Sequence, residues 1–145
     1  MTVRNFEGVS DQRKAAHKRR LDAWALLRAG RVHAHCAMYI GGYAIECKLK
    51  SVAMETFGCR TLSQLARKLD LDDASVYSHG LEALAILLPL YSTLKRSSAW
   101  RDFAGEVNRW RPSWRYDPND IELSKATTFL EAVDRLYHWL DSNQC

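Results

Sequence analysis

An all-α fold is predicted for this sequence: a compact up-and-down bundle of four to five main helices plus one short helix. Three features predict it. No stretch alternates apolar and polar residues long enough to make a strand. Residues 31–54 are apolar on nearly every side, which marks a central buried helix. Near the C-terminus Leu123, Ala126, Leu130, Val133, Tyr137 and Leu140 recur at three- and four-residue steps, placing one stripe on a core.

The elements follow in order. Ser10 is placed to cap a first helix running to about Ala29, and Gly30 is the natural break. A second helix spans about Arg31 to Met54, closed by Gly58. Thr61-Leu-Ser-Gln64 fits a capping box and opens a short helix to about Leu69. Asp72–His79 reads as a connection. Leu81–Leu94 is a helix that Pro89 bends or stops. Ser98 can cap the next, through about Trp110. Arg111–Asn119, with Pro112 and Pro118, is a loop, and the last helix runs from near Asp120 to about Asp141.

The 145 residues, 47% hydrophobic and 26% charged, suit one domain spanning the chain and exclude a disordered tail or a fibre. The longest apolar run, Ala83–Leu88, is far short of the ~20 residues of a membrane helix. Met1–Ser10 lacks the basic-then-apolar layout of a signal peptide. A cytoplasmic protein without membrane contact is therefore expected, with Cys36, Cys47, Cys59 and Cys145 as reduced thiols. Their spacing does not match a zinc site, and no cofactor is expected. No Gly-rich phosphate loop, Ser/His/Asp set, HExxH or paired-carboxylate site occurs. Asp72-Asp73 and Asp117/Asp120 read as helix-start residues rather than metal ligands.

Charge points to partners through its distribution. Twenty-one Lys and Arg against 17 Asp and Glu leave a modest +4. Between Arg13 and Arg31, however, seven cations face only Asp22, and Arg13, His17, Arg20, Trp24, Arg28 and Arg31 project to one side of the first helix. That row is either a solvated face or a surface for RNA phosphates or an acidic partner. Arg109-Trp-Arg-Pro-Ser-Trp-Arg-Tyr116 sets three arginines among three aromatics. Guanidinium groups bind phosphate bidentately and rings stack on bases, so Arg111, Arg115, Trp114 and Tyr116 are candidate ligands of a nucleotide or single-stranded RNA. Alternatively Trp110 and Trp114 pin the loop to the bundle, with arginines stacked over them.

On the second helix, His35, Tyr39, Tyr43, Glu46 and Lys50 share one face, and Ala34, Ala37, Gly41, Ala44 and Lys48 another. Gly41 and Gly42 should each cost ~1 kcal/mol against alanine inside a helix, and close packing of a neighbour is the expected offset. Glu46 and Lys50 are either an ordinary i,i+4 pair or part of a cleft, with Lys50 free for a phosphate and Glu46 orienting it.

The segment Ala37-Met-Tyr-Ile-Gly-Gly-Tyr-Ala-Ile-Glu-Cys-Lys-Leu-Lys50, followed by His79-Gly-Leu-Glu-Ala-Leu84 and by Arg115-Tyr116 before the last helix, resembles the HEPN domain family over roughly residues 21–140. The resemblance implies a helical bundle, commonly a homodimer. It also implies binding of nucleotide or RNA, or work beside a nucleotidyltransferase partner, often in toxin–antitoxin or defence pairs. A large branch cleaves RNA without metal, using an Arg followed four to six residues later by His. Arg115 occupies about that arginine's place, but Tyr116–Glu122 contains no histidine, so the pair is incomplete. Arg28 and His33 have the spacing at the wrong junction, and Arg135 and His138 are too close together. Catalysis would need His79 or His33 as proton-transfer partner. His79 otherwise reads as a locally bonded helix-start residue. The resulting expectation is a phosphate-binding module without catalysis. An endoribonuclease and a pure protein-interaction subunit are the alternatives.

Overall fold

A computed structural model describes residues 6–72, 79–105 and 110–143. The expected connection over 73–78, Arg109, Cys145 and the 106–109 end of the helix expected to reach Trp110 lie outside them. Seven α-helices are present among the described residues, and no strand: α1 (Val9–Arg28), α2 (Ala34–Thr56), α3 (Leu62–Lys68), α4 (Leu81–Ile86), α5 (Tyr91–Arg96), α6 (Ser98–Gly105) and α7 (Leu123–Ser142). Short 3₁₀ turns cover Arg31–His33 and Pro112–Tyr116. Three long helices thus carry the bundle and four short ones fill the crossover between α2 and α7.

Helix α2 is the spine. Sixteen of its residues, from Ala34 to Met54, are buried, because α1 covers one side and α7 another. The chain reverses at Gly30, whose φ of 119° favours glycine, and α2 returns antiparallel so that Glu55 near its end meets Arg13 near the start of α1 at 2.7 Å. Helix α7 runs beside α2 in the same direction: Gly41 faces Leu130 and Val133, and Lys48 meets Asp141.

The local signals divide in an instructive way. Thr61 Oγ1 accepts the Gln64 N–H at 3.2 Å, while Gln64 Oε1 reaches back to the Arg60 N–H at 2.8 Å, one residue before the usual box partner. Ser10, by contrast, does not cap α1. The helix begins two residues earlier, after Gly8, because the Val9 N–H is satisfied by the Arg60 carbonyl at 2.9 Å. Ser98 is not the cap either; Ser97 Oγ accepts the Trp100 N–H at 3.0 Å. Pro89 stops the expected Leu81–Leu94 helix: α4 ends at Ile86 and α5 restarts at Tyr91. The C-terminal stripe is buried at Ala126, Leu130, Val133, Tyr137 and Leu140, but Leu123, in the first turn, is 43% exposed.

The two mid-helix glycines are explained by close approach. A Cβ on Gly41 would stand 2.6 Å from Leu130 Cδ2, and one on Gly42 would stand 2.2 Å from Trp110 Cδ1. Since Trp110 is a buried ring rather than the flexible end of a chain, it cannot yield cheaply. Gly42→Ala is therefore expected to destabilise by roughly 1–3 kcal/mol even though alanine is the better helix former. Urea unfolding measures it; a gain in stability would contradict the packing.

Candidate functional site

Two clusters on opposite parts of α2 gather most of the candidate residues. The first is the basic–aromatic loop. Trp110 lies in the notch left by Gly42, 3% exposed, stacked on Tyr39 at 5.9 Å between ring centroids. Its indole N–H donates to the Tyr39 carbonyl at 2.9 Å. Trp114 is half-buried, edge-on to His35 at 5.6 Å and tilted against Phe129 at 5.7 Å. Asp117 closes the loop. One of its carboxylate oxygens accepts the backbone and side-chain N–H groups of Asn119, and the other lies 3.2 Å from His35 Nε2. These contacts, the Asn119 backbone N–H foremost, hold the Asp117 carboxyl below the ordinary aspartate value of 3.8. Asp117 is thus a loop-closing residue and not a helix start; Glu122 precedes α7.

The tryptophans pin the loop, and the arginines are left outside. Arg111 and Arg115 are both exposed, and neither has a carboxylate within ion-pair distance among the described residues. Arg111 reaches only the Trp110 carbonyl, at 3.5 Å. Arg115 stacks over the Tyr116 ring, 4.7 Å from its centroid, and not over a tryptophan. The hydroxyl of Tyr116, and more weakly that of Tyr39, push its already high pKa further up. Tyr116 itself is 72% exposed.

The second cluster centres on Glu46, which is 2% exposed. Lys50 Nζ lies 3.3 Å from one of its carboxylate oxygens, and His79 Nδ1 lies 2.6 Å from the other. His79 is therefore held by a residue 33 positions away and not by a local bond. More than half of its side chain remains exposed. The contact leaves Nε2 on the exposed side of the ring. Lys50 is 6% exposed, so its ammonium is committed to Glu46 rather than free for a phosphate. Next to them the buried Cys47 thiol is pushed up to about 12, first by burial and then by the Glu46 charge, so it stays protonated.

The expected single cradle of Arg111, Arg115 and Lys50 is not assembled. Arg115 sits by Tyr39, and Lys50 lies eleven residues further along α2, about 16 Å along its axis. His33 is exposed in the 3₁₀ turn before α2, two residues before His35 of the loop cluster and far along the chain from Glu46. Half of the basic row of α1 is engaged by acidic side chains. Arg13 pairs with Glu55, and Arg20 and the Trp24 indole N–H both bind Asp134 of α7 at 3.3 and 2.9 Å.

Sequence reasoning missed Lys48. Grouped with the small residues of its face, it is instead 1% exposed, its ammonium 2.8 Å from Asp141 and 4.9 Å from the Tyr137 ring centroid. Arg20 caps the same ring at 4.6 Å. Lys48 holds the Asp141 carboxyl below its ordinary value. One signal could have found it: Lys48 points away from the Glu46–Lys50 face of a helix that is otherwise apolar, so it too must be buried against a partner. No helix of the described residues is long and apolar enough to cross a membrane.

Comparison of the chain with family models, with curated proteins and with solved structures returns no match in any of the three.

Proposed function

We propose that the chain is a HEPN-type helical module that binds RNA or nucleotide phosphates through Arg111 and Arg115, with Tyr116 stacking on a base, and does not cleave what it binds. One observation carries this reading. Both guanidinium groups stand exposed and, among the described residues, free of carboxylates on a loop that Trp110 and Trp114 fasten to the spine helix. A rigid mount lowers the entropy lost when a flexible polyanion binds, and guanidinium is the cation best shaped for phosphate. Lys50, Glu46 and Trp114, engaged elsewhere, drop out of the contact set. The family resemblance adds a homodimer and a nucleotidyltransferase partner protein to the proposal.

Labelled single-stranded RNA and ATP titrated at several salt concentrations test it. Each neutralised phosphate contributes about 0.7 to the slope of log K against log salt. Arg111→Ala combined with Arg115→Ala is expected to lower that slope by about 1.4 while the RNA stays intact. An unchanged slope would defeat the reading, and absence of any RNA or ATP binding would favour a protein-interaction subunit.

A second reading has its own observation. The Glu46–His79 contact orients an accessible imidazole as Glu and Asp orient general bases, which a metal-independent endoribonuclease needs. Loss of full-length RNA that His79→Ala abolishes would establish that reading in place of the first.

A further inference from the structure

A cavity of about 850 Å³ forms an open groove beside the first half of α1, and its lining includes neither Arg111 nor Arg115. Its walls are mostly apolar, with Tyr43, Cys47 and Tyr137 among them, and Lys48 and Asp141 also line it. Two features give it a chemical preference.

The first is Lys48. A buried ammonium has three protons to place, and here one goes to Asp141 while the Tyr137 ring takes another side. Its one counter-ion among the described residues, Asp141, is a side chain 59% exposed at the groove and therefore replaceable. The second is the rim. Lys14 and His17 line the groove without an ionic partner among the described residues, and Arg13, Lys18 and Arg19 add positive potential despite their ion pairs.

The geometry points to a second binding site: this groove takes an amphipathic organic anion, with its carboxylate or phosphate-monoester head on Lys48 and its apolar body along Tyr43, Cys47 and Tyr137. The volume is within the range of small-ligand sites, and mostly apolar walls with a few fixed polar groups are the usual makeup of such sites. Asp141 then acts as a built-in competitor that occupies Lys48 while the groove is empty. This site shares no residue with the phosphate-binding loop, so the RNA experiment and this one fail independently.

The test uses the full chain and three probes of equal tail length, dodecanoate, dodecyl phosphate and dodecan-1-ol, each below its aggregation threshold. Calorimetric titration and the thermal midpoint are the readouts. Saturable binding of one or both anions with a raised midpoint is expected, and the two arms identify the head group. The alcohol should bind at least about tenfold more weakly, because it forgoes the charge-assisted bond to Lys48. Asp141→Asn should tighten anion binding several-fold by removing the competitor, an outcome that a purely structural role for Asp141 does not give. Lys48→Met should abolish the preference for the anion. Equal binding of alcohol and anions, no saturable binding, or weaker binding by Asp141→Asn would each overturn the proposal. Should Lys48→Met fail to fold, the alcohol and the surface Asp141→Asn variant decide it.

Discussion

Replacing Glu46 by glutamine is expected to cost about 3–5 kcal/mol of folding stability. The carboxylate is 2% exposed and is the charge on which Lys50, itself 6% exposed, depends. The amide keeps the shape but leaves a buried ammonium without its counter-charge, and desolvation of that ion is no longer repaid. At about 2–4 °C per kcal/mol for a domain of this size, the thermal midpoint should fall by about 10 °C. Glu46→Gln with Lys50→Met should recover most of the loss, because an apolar side chain of similar length removes both charges from the interior. His79→Ala should move the midpoint far less, as that side chain is more than half exposed and water replaces its bond. A single Glu46→Gln variant within 1 kcal/mol of the parent would show that the pair does not depend on its burial.

Trp110→Ala is expected to cost about 3–5 kcal/mol, as for other large aromatic truncations in a core. It empties the notch above Gly42, removes the stack on Tyr39 and deletes the hydrogen bond to the Tyr39 carbonyl. A double-mutant cycle isolates the notch. In the Trp110→Ala background, Gly42→Ala no longer meets a ring and should become favourable by about 1 kcal/mol through helix propensity alone. If Gly42→Ala is equally costly with and without the tryptophan, the indole is not what requires glycine there. Under the proposed function, RNA binding by the Trp110→Ala protein is expected to be weaker as well, since Arg111 and Arg115 lose their rigid mount.

Residues with local consequences were readable in order along the chain. Gly30 ended one helix, Thr61 and Gln64 capped another, and Pro89 broke a third, each through its own backbone chemistry. The apolar run of α2 and the stripe of α7 announced a helical bundle because burial imposes a 3.6-residue period. The glycine pair announced close packing because nothing else offsets its cost. Where a partner lies far away in the chain, the sequence was silent. Ser10 lost its capping role to the Arg60 carbonyl, and two cations of the α1 row, Arg13 and Arg20, turned out to be engaged by Glu55 and Asp134.

The site divided along the same line. Composition alone determined that Arg111, Arg115 and Tyr116 form a cationic, aromatic loop, since prolines and exposed arginines behave alike in most contexts. Only the tertiary structure decided that Lys50 belongs to Glu46 and His79 rather than to that loop, and that Lys48 is buried against Asp141. A charge's role depends on the dielectric around it and on which counter-charge is near, and both are set by helices that meet in space after long separation in the chain.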